Sequence, residues 1–267
     1  MHDARRLAYL DALGVEVYVR RGAPDAGAGA STAAAGPATP DAAPAARVVE
    51  RAVDARVTAI PAPAPRLEGV RAADDWATLR GDVAACERCE LHRTRSQTVF
   101  GVGNPAARWM FIGEAPGQEE DRQGEPFVGC AVQFLNAMIR ALGMRRDDVF
   151  IANVLKCRPP GNRDPRPAEA ASCRAFLERQ VALVDPTLVV AVGRIAAQDL
   201  LATETPIAKL RGKVHSFGAR PWPLVVTYHP AYLLRSPGEK RKAWHDLLQA
   251  RQLFERLERE RGAGARP

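Results

Sequence analysis

The feature that most constrains the fold is an alternation of short apolar runs and longer helical patterns from residue 109 onward. The apolar runs are rich in β-branched residues, which is typical of strands buried on both faces of a sheet. The segments between them have the apolar spacing of helices that cover such a sheet. The alternation therefore predicts an α/β fold, a three-layer α/β/α domain around a central four-stranded parallel sheet. The predicted strands are Trp109–Ile112, Val149–Val154, Leu188–Val192 and Leu224–Thr227, and the predicted helices are Ala131–Leu142, Ala168–Leu183, Ile195–Leu201 and Ala243–Glu260.

The chain before this pattern divides into two parts. Apolar residues at helical and then strand-like spacing predict a short element in residues 1–20, either a packing element or a docking segment for a protein partner. Ala, Pro and Gly dominate residues 21–73, and such a composition cannot bury enough apolar surface to offset its ordering entropy. A flexible linker is therefore expected there, followed by the globular domain over residues 74–260 and a disordered tail over residues 261–267.

Charge and cysteine usage limit the partners and the compartment. The 267-residue chain carries a net charge of +7, which favours a polyanionic partner such as nucleic acid without establishing one. No apolar run is long enough to cross a bilayer, and the N-terminus lacks the apolar segment of a signal peptide, so a cytoplasmic protein is expected. The protein is also expected to be a monomer. Thiols remain reduced there, so the five cysteines are expected to be ligands or core residues.

Four of the cysteines form a candidate metal-binding set. Cys86 and Cys89 form a C-x-x-C pair, Cys157 follows the second predicted strand, and Cys173 lies in the next predicted helix. Four thiolates can hold zinc or a [4Fe–4S] cluster, whereas a lone C-x-x-C pair can also be a redox pair or a chance spacing. Cys157 and Cys173 are too far apart for a second zinc knuckle, so the set is not a standard zinc finger. Cys130 has no partner at ligand spacing and is expected to be an ordinary small side chain.

Polar and aromatic residues collect where the predicted strands end. Gly113–Gly117 ends the first predicted strand, Asn153 lies at the end of the second, and His229 follows the fourth. The turn Gly124–Gly129 carries one aromatic residue, Phe127. Ligands of parallel sheets bind beyond the carboxyl ends of the strands, so this edge is the predicted site. Each residue also has a structural explanation, as a core aromatic, a turn former or a satisfied histidine.

The motifs, taken in order, resemble the family-four, iron–sulfur uracil-DNA glycosylases. The resemblance rests on G-E-A-P-G, G-E-P-F-V-G, N-V-L-K-C-R-P-P and H-P-A-Y-L-L-R together with the cysteine placement, and it covers residues 83–252. It implies a uracil-DNA glycosylase-like fold and a DNA-repair enzyme that flips deoxyuridine out of single- or double-stranded DNA and hydrolyses its N-glycosidic bond, leaving an abasic site. The alternatives are a metal-stabilised nucleic-acid-binding module, a glycosylase with broader deaminated-base specificity, and a redox protein.

The resemblance implies roles for the pocket residues. Phe127 would stack on the flipped uracil, and the backbone around Glu114 and Ala115 would close the pocket. Asn153 would bind the Watson–Crick edge, because an amide can accept from N3–H and donate to O4, a match that cytosine would not make. His229 would stabilise negative charge that grows on O2 as uracil leaves. The residues that would hold a structural [4Fe–4S] cluster are Cys86, Cys89, Cys157 and Cys173.

Two further implications concern the sugar and the DNA strand. Glu114 would lie near the reacting sugar carbon, where a carboxylate can orient water and stabilise an oxocarbenium-like sugar; its structural alternative is a helix cap. Leu233 and Leu234 would fill the space that the flipped base leaves, with Arg235 near a phosphate. The sister group that becomes covalently trapped on uracil-DNA has an insertion with a reactive histidine after the K-C-R-P-P motif. This chain lacks both, so turnover is expected.

Overall fold

The structure is a computed structural model that describes residues 72–218 and 220–264. Six strands in this part of the chain form one sheet. They are β1 (Val102–Gly103), β2 (Trp109–Gly113), β3 (Phe150–Asn153), β4 (Leu188–Val192), β5 (Val214–Phe217) and β6 (Trp222–Thr227). Their order across the sheet is β1–β3–β2–β4–β6–β5.

The four inner strands are parallel, and the two edge strands are antiparallel. β2 pairs in parallel with β3 and β4, and β4 pairs in parallel with β6. These are the four strands predicted from the apolar runs, so the parallel sheet is confirmed. The two antiparallel edge strands, β1 and β5, were not predicted and make the sheet six-stranded. β1 has only two residues and most of β5 is partly exposed, so neither carries the apolar run of a strand buried on both faces.

Helices flank the sheet. They are α1 (Ala72–Ala84), α2 (Gln118–Gln123), α3 (Cys130–Ala141), α4 (Pro167–Val184), α5 (Arg194–Leu200), α6 (Ile207–Leu210), α7 (Pro230–Arg235) and α8 (Lys240–Gly264). The predicted helices correspond to α3, α4, α5 and α8. Short 3₁₀ turns lie at Glu90–Arg93, Arg146–Asp148, Pro160–Asn162 and Pro237–Glu239.

The last helix corrects one expectation about the carboxyl terminus. Residues 261–264 continue α8 and are not part of a disordered tail. The guanidinium of Arg261 donates to Thr187 Oγ1 at 3.1 Å, which ties the final turns of the helix to the start of β4. Residues 265–267 lie outside the described ranges.

Side chains of one strand enter two different cores, as expected when residues alternate across a sheet. Met110 of β2 shares a core with Leu79 of α1 and Leu177 of α4. Its neighbour Phe111 belongs to the opposite core, together with Leu135 of α3 and part of α8. Both faces of the sheet are therefore covered by helices, and the three-layer architecture is confirmed.

The N-terminal predictions fall outside the structure. Residues 1–71, which include the expected docking element and nearly all of the expected linker, are not described. α1 begins at Ala72, close to the expected start of the domain. None of the described helices combines the length and the apolar character that a membrane span needs.

Candidate active site

A cavity of about 590 Å³ lies at the carboxyl edge of the sheet. Glu114 and Ala115 reach it from the loop after β2, Asn153 from the end of β3, and His229 from the residues after β6. Phe127 lines it from the loop between α2 and α3. The structure thus brings together in one cavity the five pocket residues that the motifs singled out.

The wall of the cavity depends on a glycine. A Cβ atom at Gly113 would lie 2.5 Å from Asn153 Oδ1 and 2.6 Å from Phe127 Cζ. Only hydrogen in place of a side chain lets the amide and the ring approach the end of β2 this closely. The first glycine of G-E-A-P-G therefore sets the positions of two other pocket residues.

Phe127 forms an aromatic side of the cavity. Its backbone lies in the left-handed region with φ +54°, which is uncommon for a bulky residue. Its ring stacks with the imidazole of His229, with 5.9 Å between ring centroids and 26° between planes. The ring is buried except where it lines the cavity, so a planar ligand could meet one apolar aromatic surface there.

Glu120 holds the loops around Phe127 and was missed from the sequence. Its carboxylate accepts hydrogen bonds from the backbone N–H groups of Gly117 (3.1 Å), Val128 (3.0 Å) and Gly129 (3.4 Å). It thereby joins the G-E-A-P-G loop to the P-F-V-G turn that carries the aromatic ring. The signal was available, because a glutamate three residues after a helix N-cap commonly bonds the N-cap amide.

Asn153 has separate tasks for its backbone and its side chain. Its carbonyl accepts from Lys156 Nζ at 2.7 Å, and the same ammonium donates to Gln180 Oε1 at 2.6 Å. The residue is only 3% exposed, and its side-chain amide makes no hydrogen bond to any residue in the described ranges. An amide that has no protein partner and lies at a cavity wall is available to bind a ligand.

His229 is a neutral imidazole with a defined tautomer. Burial, with a contribution from the nearby Arg235, lowers the pKa of His229 to about 4. Its Nδ1 accepts a hydrogen bond from the backbone N–H of Ala231 at 3.2 Å, so the proton of the neutral ring lies on Nε2. The ring therefore offers one N–H donor beyond its cap interaction. Gly193 packs against its Cβ, at a position where a side chain would come within 3.0 Å.

Glu114 is an acid with an altered proton affinity. Burial, with a smaller contribution from the carboxylate of Asp164, raises the pKa of Glu114 to about 7, and the guanidinium of Arg194 opposes the shift. Arg194 and Asp164 form an ion pair at 2.7 Å. The side chain of Glu114 is therefore partly ionised near neutral pH, as suits a group that accepts a proton.

A further wall comes from the segment after Cys157, which the sequence did not assign to the pocket. Pro159, Asn162, Arg163 and Asp164 line the cavity. Arg163 is fixed by the buried carboxylate of Glu169, with bonds of 2.9 and 2.6 Å. This short segment carries no histidine, so the wall offers no imidazole at that place.

The two wedge candidates have different environments. Leu233 is completely buried in the core beneath α7, so it cannot fill a space in DNA, and that prediction is corrected. Its burial follows from the turn of α7, which directs position 233 into the core that α3 shares. Leu234 is 45% exposed, and the exposed Arg235 lines the cavity. Of the three residues predicted for the wedge and the phosphate, Leu234 and Arg235 therefore remain candidates.

The four cysteines of the candidate set converge on one core. Cys157 and Cys173 are buried, and Cys86 and Cys89 pack against the same core from its edge. Burial raises the pKa of Cys157, the guanidinium of Arg95 opposes this shift, and Cys89 and Cys86 add to it. Burial likewise raises the pKa of Cys173 to about 11. All four are free thiols.

A guanidinium group lies among the thiols. The four described thiols are not arranged to hold a single metal ion. Arg95 Nη1 donates to Cys157 Sγ at 3.1 Å and to the carbonyl of Cys86 at 2.8 Å. Among the described residues, no three His, Cys, Asp or Glu side chains are close enough together to hold one metal ion. The side chain of Cys130 lies outside what the structure describes.

The fold and the cavity define a class of protein: a three-layer α/β domain with an aromatic ring, an amide and an imidazole around a cavity at the carboxyl edge of its sheet. Comparison with known families narrows this class. Residues 100–248 match the family model of the uracil DNA glycosylase superfamily, and the chain belongs to that superfamily.

The relatives are consistent with the family-four resemblance, which is confirmed. A type-4 uracil-DNA glycosylase of Archaeoglobus fulgidus is 44% identical over 58% of this chain and 81% of its own length. The type-4 enzyme of Thermotoga maritima is 43% identical over 58% of this chain and 80% of its own length. A type-5 uracil-DNA glycosylase of Thermus thermophilus is 34% identical over 50% of this chain and 69% of its own length.

Proposed function

We propose that this protein is a uracil-DNA glycosylase that releases uracil from single- and double-stranded DNA and leaves an abasic site. The observation that carries the proposal is the convergence of Phe127, the unpartnered amide of Asn153 and the neutral His229 on one cavity. The names of the type-4 relatives support the same activity.

Base recognition follows from the shape and the hydrogen-bonding groups of the cavity. A flipped uracil would stack on Phe127. The amide of Asn153 would accept from N3–H through Oδ1 and donate to O4 through its NH₂ group. Cytosine has an acceptor at N3 and a donor at C4, so it would oppose both groups in this orientation. The buried position of the amide makes such a mismatch costly, since each group would lose its partner without water to replace it.

Bond cleavage would draw on His229 and Glu114. As the C1′–N1 bond breaks, its electron pair moves onto uracil, and Nε2–H of His229 donates to the O2 atom where the negative charge develops. The hydrogen bond from this neutral donor strengthens as the negative charge on O2 grows, so it stabilises the transition state more than the bound substrate. The carboxylate of Glu114 orients a water molecule toward C1′, stabilises the oxocarbenium-like sugar and accepts the proton of that water.

A strand-cleavage assay tests the activity. The purified protein is incubated with oligonucleotides that contain one uracil, hypoxanthine or mispaired thymine, and alkali then breaks any abasic site. Uracil-dependent breaks are expected in both single-stranded and duplex substrates. Intact uracil strands would refute the proposal and favour a module that binds nucleic acid without cutting it, whereas cleavage at hypoxanthine would extend the specificity.

We also propose that Cys86, Cys89, Cys157 and Cys173 hold a [4Fe–4S] cluster. Support comes from four free thiols on one core and from the Arg95 guanidinium, which would stabilise a thiolate at Cys157. A multi-iron cluster lies between its thiolates and holds them further apart than a single zinc ion does. When bound, the cluster would brace the loops around it without taking part in base release.

The colour of the purified protein and its metal content distinguish an iron–sulfur cluster from zinc. A brown protein that absorbs near ~400 nm and contains iron and sulfide is expected. A colourless protein with stoichiometric zinc would overturn the choice of metal without affecting the glycosylase proposal. Free thiols and thiolate ligands persist in the reducing cytoplasm, where we propose that the protein acts.

A further inference from the structure

A second cavity adjoins the first. It has a volume of about 440 Å³. Glu114, Asp164, His229 and Arg235 line both cavities. If C1′ of the flipped nucleotide lies between Glu114 and His229, as proposed above, the second cavity lies where the DNA strand continues beyond the reacting sugar.

The wall of this second cavity is aromatic and aliphatic. Tyr232 of α7 lines it together with Tyr228, Ile195 and Ile207. Tyr232 is 36% exposed. Only three large apolar side chains are exposed in the part of the chain that the structure describes, and two of them, Tyr232 and Leu234, lie on this one short helix. Exposed apolar side chains concentrated beside a cavity indicate a binding surface.

The ring of Tyr232 is supported from below. It contacts the ring of Tyr228, with 5.0 Å between centroids and 46° between planes. The guanidinium of Arg211 lies 4.3 Å from the centroid of the Tyr228 ring and is itself held by two hydrogen bonds to Asp246, at 2.7 and 2.8 Å. Tyr232 therefore rests on an ordered stack, which reduces the entropy that a ligand must remove on binding.

The charges around the second cavity suit a phosphodiester. Arg235 is exposed at the edge shared by both cavities and forms no ion pair within the described ranges. The nearby carboxylate of Asp164 forms an ion pair with Arg194 at 2.7 Å. An unpaired guanidinium beside an exposed aromatic ring is a combination that single-stranded nucleic acid binds well.

We propose that the second cavity binds the base of the nucleotide adjacent to deoxyuridine in the same strand, stacked on Tyr232, with Arg235 at the intervening phosphate. This inference rests on the proposed function and adds a substrate subsite to it. The protein would read the strand next to the lesion through a planar contact that every base can make.

A thermodynamic cycle between Tyr232 and the neighbouring base tests the subsite. The substrates are short single strands with one deoxyuridine, in which the 5′ or the 3′ neighbour is either a normal nucleotide or a base-free tetrahydrofuran spacer. Uracil release is measured under single-turnover conditions over a range of protein concentrations. The proteins are wild type, Tyr232→Ala, Tyr232→Phe, which keeps the ring, and Leu248→Ala, which removes an exposed side chain on α8.

The expected result is specific to one neighbour. In wild type, the spacer on one side raises the half-saturating protein concentration by about fivefold to a hundredfold, the range for base–aromatic stacking. In Tyr232→Ala, the half-saturating protein concentration for the normal strand is raised by the same factor, and the spacer raises it no further. Tyr232→Phe and Leu248→Ala match wild type. Equal spacer effects in wild type and Tyr232→Ala, on both sides, would overturn the subsite.

A binding measurement separates this inference from the activity. With 2-aminopurine beside deoxyuridine, its fluorescence is expected to be quenched on binding to wild type and to Tyr232→Phe, and much less on binding to Tyr232→Ala. The same quenching in Tyr232→Ala contradicts the inference even if every variant is active. If wild type releases no uracil from any strand, the proposed function fails and the subsite fails with it.

Discussion

In the proposed mechanism, Asn153 recognises the base and His229 stabilises the leaving group. Each is held from behind, Asn153 through its carbonyl by Lys156 and His229 through Nδ1 by the amide of Ala231. Each therefore keeps one free polar group for the ligand. Their contributions to the reaction should be large, because neither group needs to reorganise when the charge of the substrate changes.

Truncation of either residue should slow uracil release. Asn153→Ala and His229→Ala are expected to lower the single-turnover rate by about tenfold to a thousandfold, since each removes a preorganised hydrogen bond from the transition state. Asn104→Ala serves as a control, because Asn104 is an exposed turn residue whose side chain bonds only the Ala106 amide. Wild-type rates in both pocket variants would contradict the assigned roles.

The pH dependence should report on Glu114. The pKa of Glu114 is raised to about 7, so its carboxylate form increases as the pH rises through neutrality. Cleavage should therefore increase by about tenfold between pH ~6 and ~8 if the carboxylate is the active form. His229, with its pKa lowered to about 4, stays neutral over this interval. Glu114→Gln should remove the dependence.

Two charged neighbours of Glu114 shift its pKa in opposite directions, so their variants provide a matched pair of tests. Asp164 raises the pKa of Glu114 and Arg194 lowers it. Asp164→Asn should therefore move the midpoint of the pH–rate profile to lower pH, and Arg194→Gln should move it to higher pH. Shifts in the same direction, or none, would show that the profile follows another group.

At the scale of the elements, the carboxyl ends of β2 and β3 meet through Gly113. Gly113→Ala should displace Phe127 or Asn153, because the added Cβ would stand about 2.5 Å from atoms of both. A destabilisation of about 1–3 kcal/mol is expected from overpacking, with a loss of activity. Gly81 lies in α1 with no atom within 4 Å of an added Cβ.

Gly81→Ala is thus the comparison for Gly113→Ala, and it should be neutral or stabilise the fold by up to ~1 kcal/mol through helix propensity. Urea unfolding measures both variants. Equal urea midpoints for Gly113→Ala and Gly81→Ala would show that the close contacts at Gly113 do not limit the stability of the fold.

The elements differ in how far the sequence determined them. β2, β3, β4 and β6 were predictable because they are buried on both faces and so consist of continuous apolar runs. β1 and β5 were not, because an edge strand is held by its pairing partner and needs no such run. The pocket showed a similar division. Phe127, Asn153 and His229 stand in recognisable motifs, whereas the role of Glu120 and the burial of Leu233 depend on how loops and a short helix turn in space.

At the scale of the whole molecule, the cysteines connect segments that are distant in the sequence. Cys86 and Cys89 follow α1, Cys157 follows β3, and Cys173 lies in α4. A cluster bound by all four would restrict these segments relative to one another, in the way that a metal adds its binding free energy to folding. The protein should then depend on the cluster for stability more than for chemistry.

Loss of one thiol should show this dependence. Cys173→Ser is expected to lose the absorbance near ~400 nm and to lower the thermal midpoint by about 5 °C or more, since ~1 kcal/mol corresponds to about 2–4 °C for a domain of this size. Cys130→Ser should keep the colour, because Cys130 is outside the proposed ligand set. An unchanged spectrum in Cys173→Ser would exclude that residue as a ligand.

The docking of α8 has a practical consequence. Its last turns rest on Thr187, at the amino-terminal edge of the sheet, whereas the cavities open at the carboxyl edge. A tether placed after Gly264 would therefore emerge on the side of the molecule away from the substrate. Immobilisation on a sensor surface through the carboxyl end should leave both cavities facing the solution, and an attachment through α7 would block them.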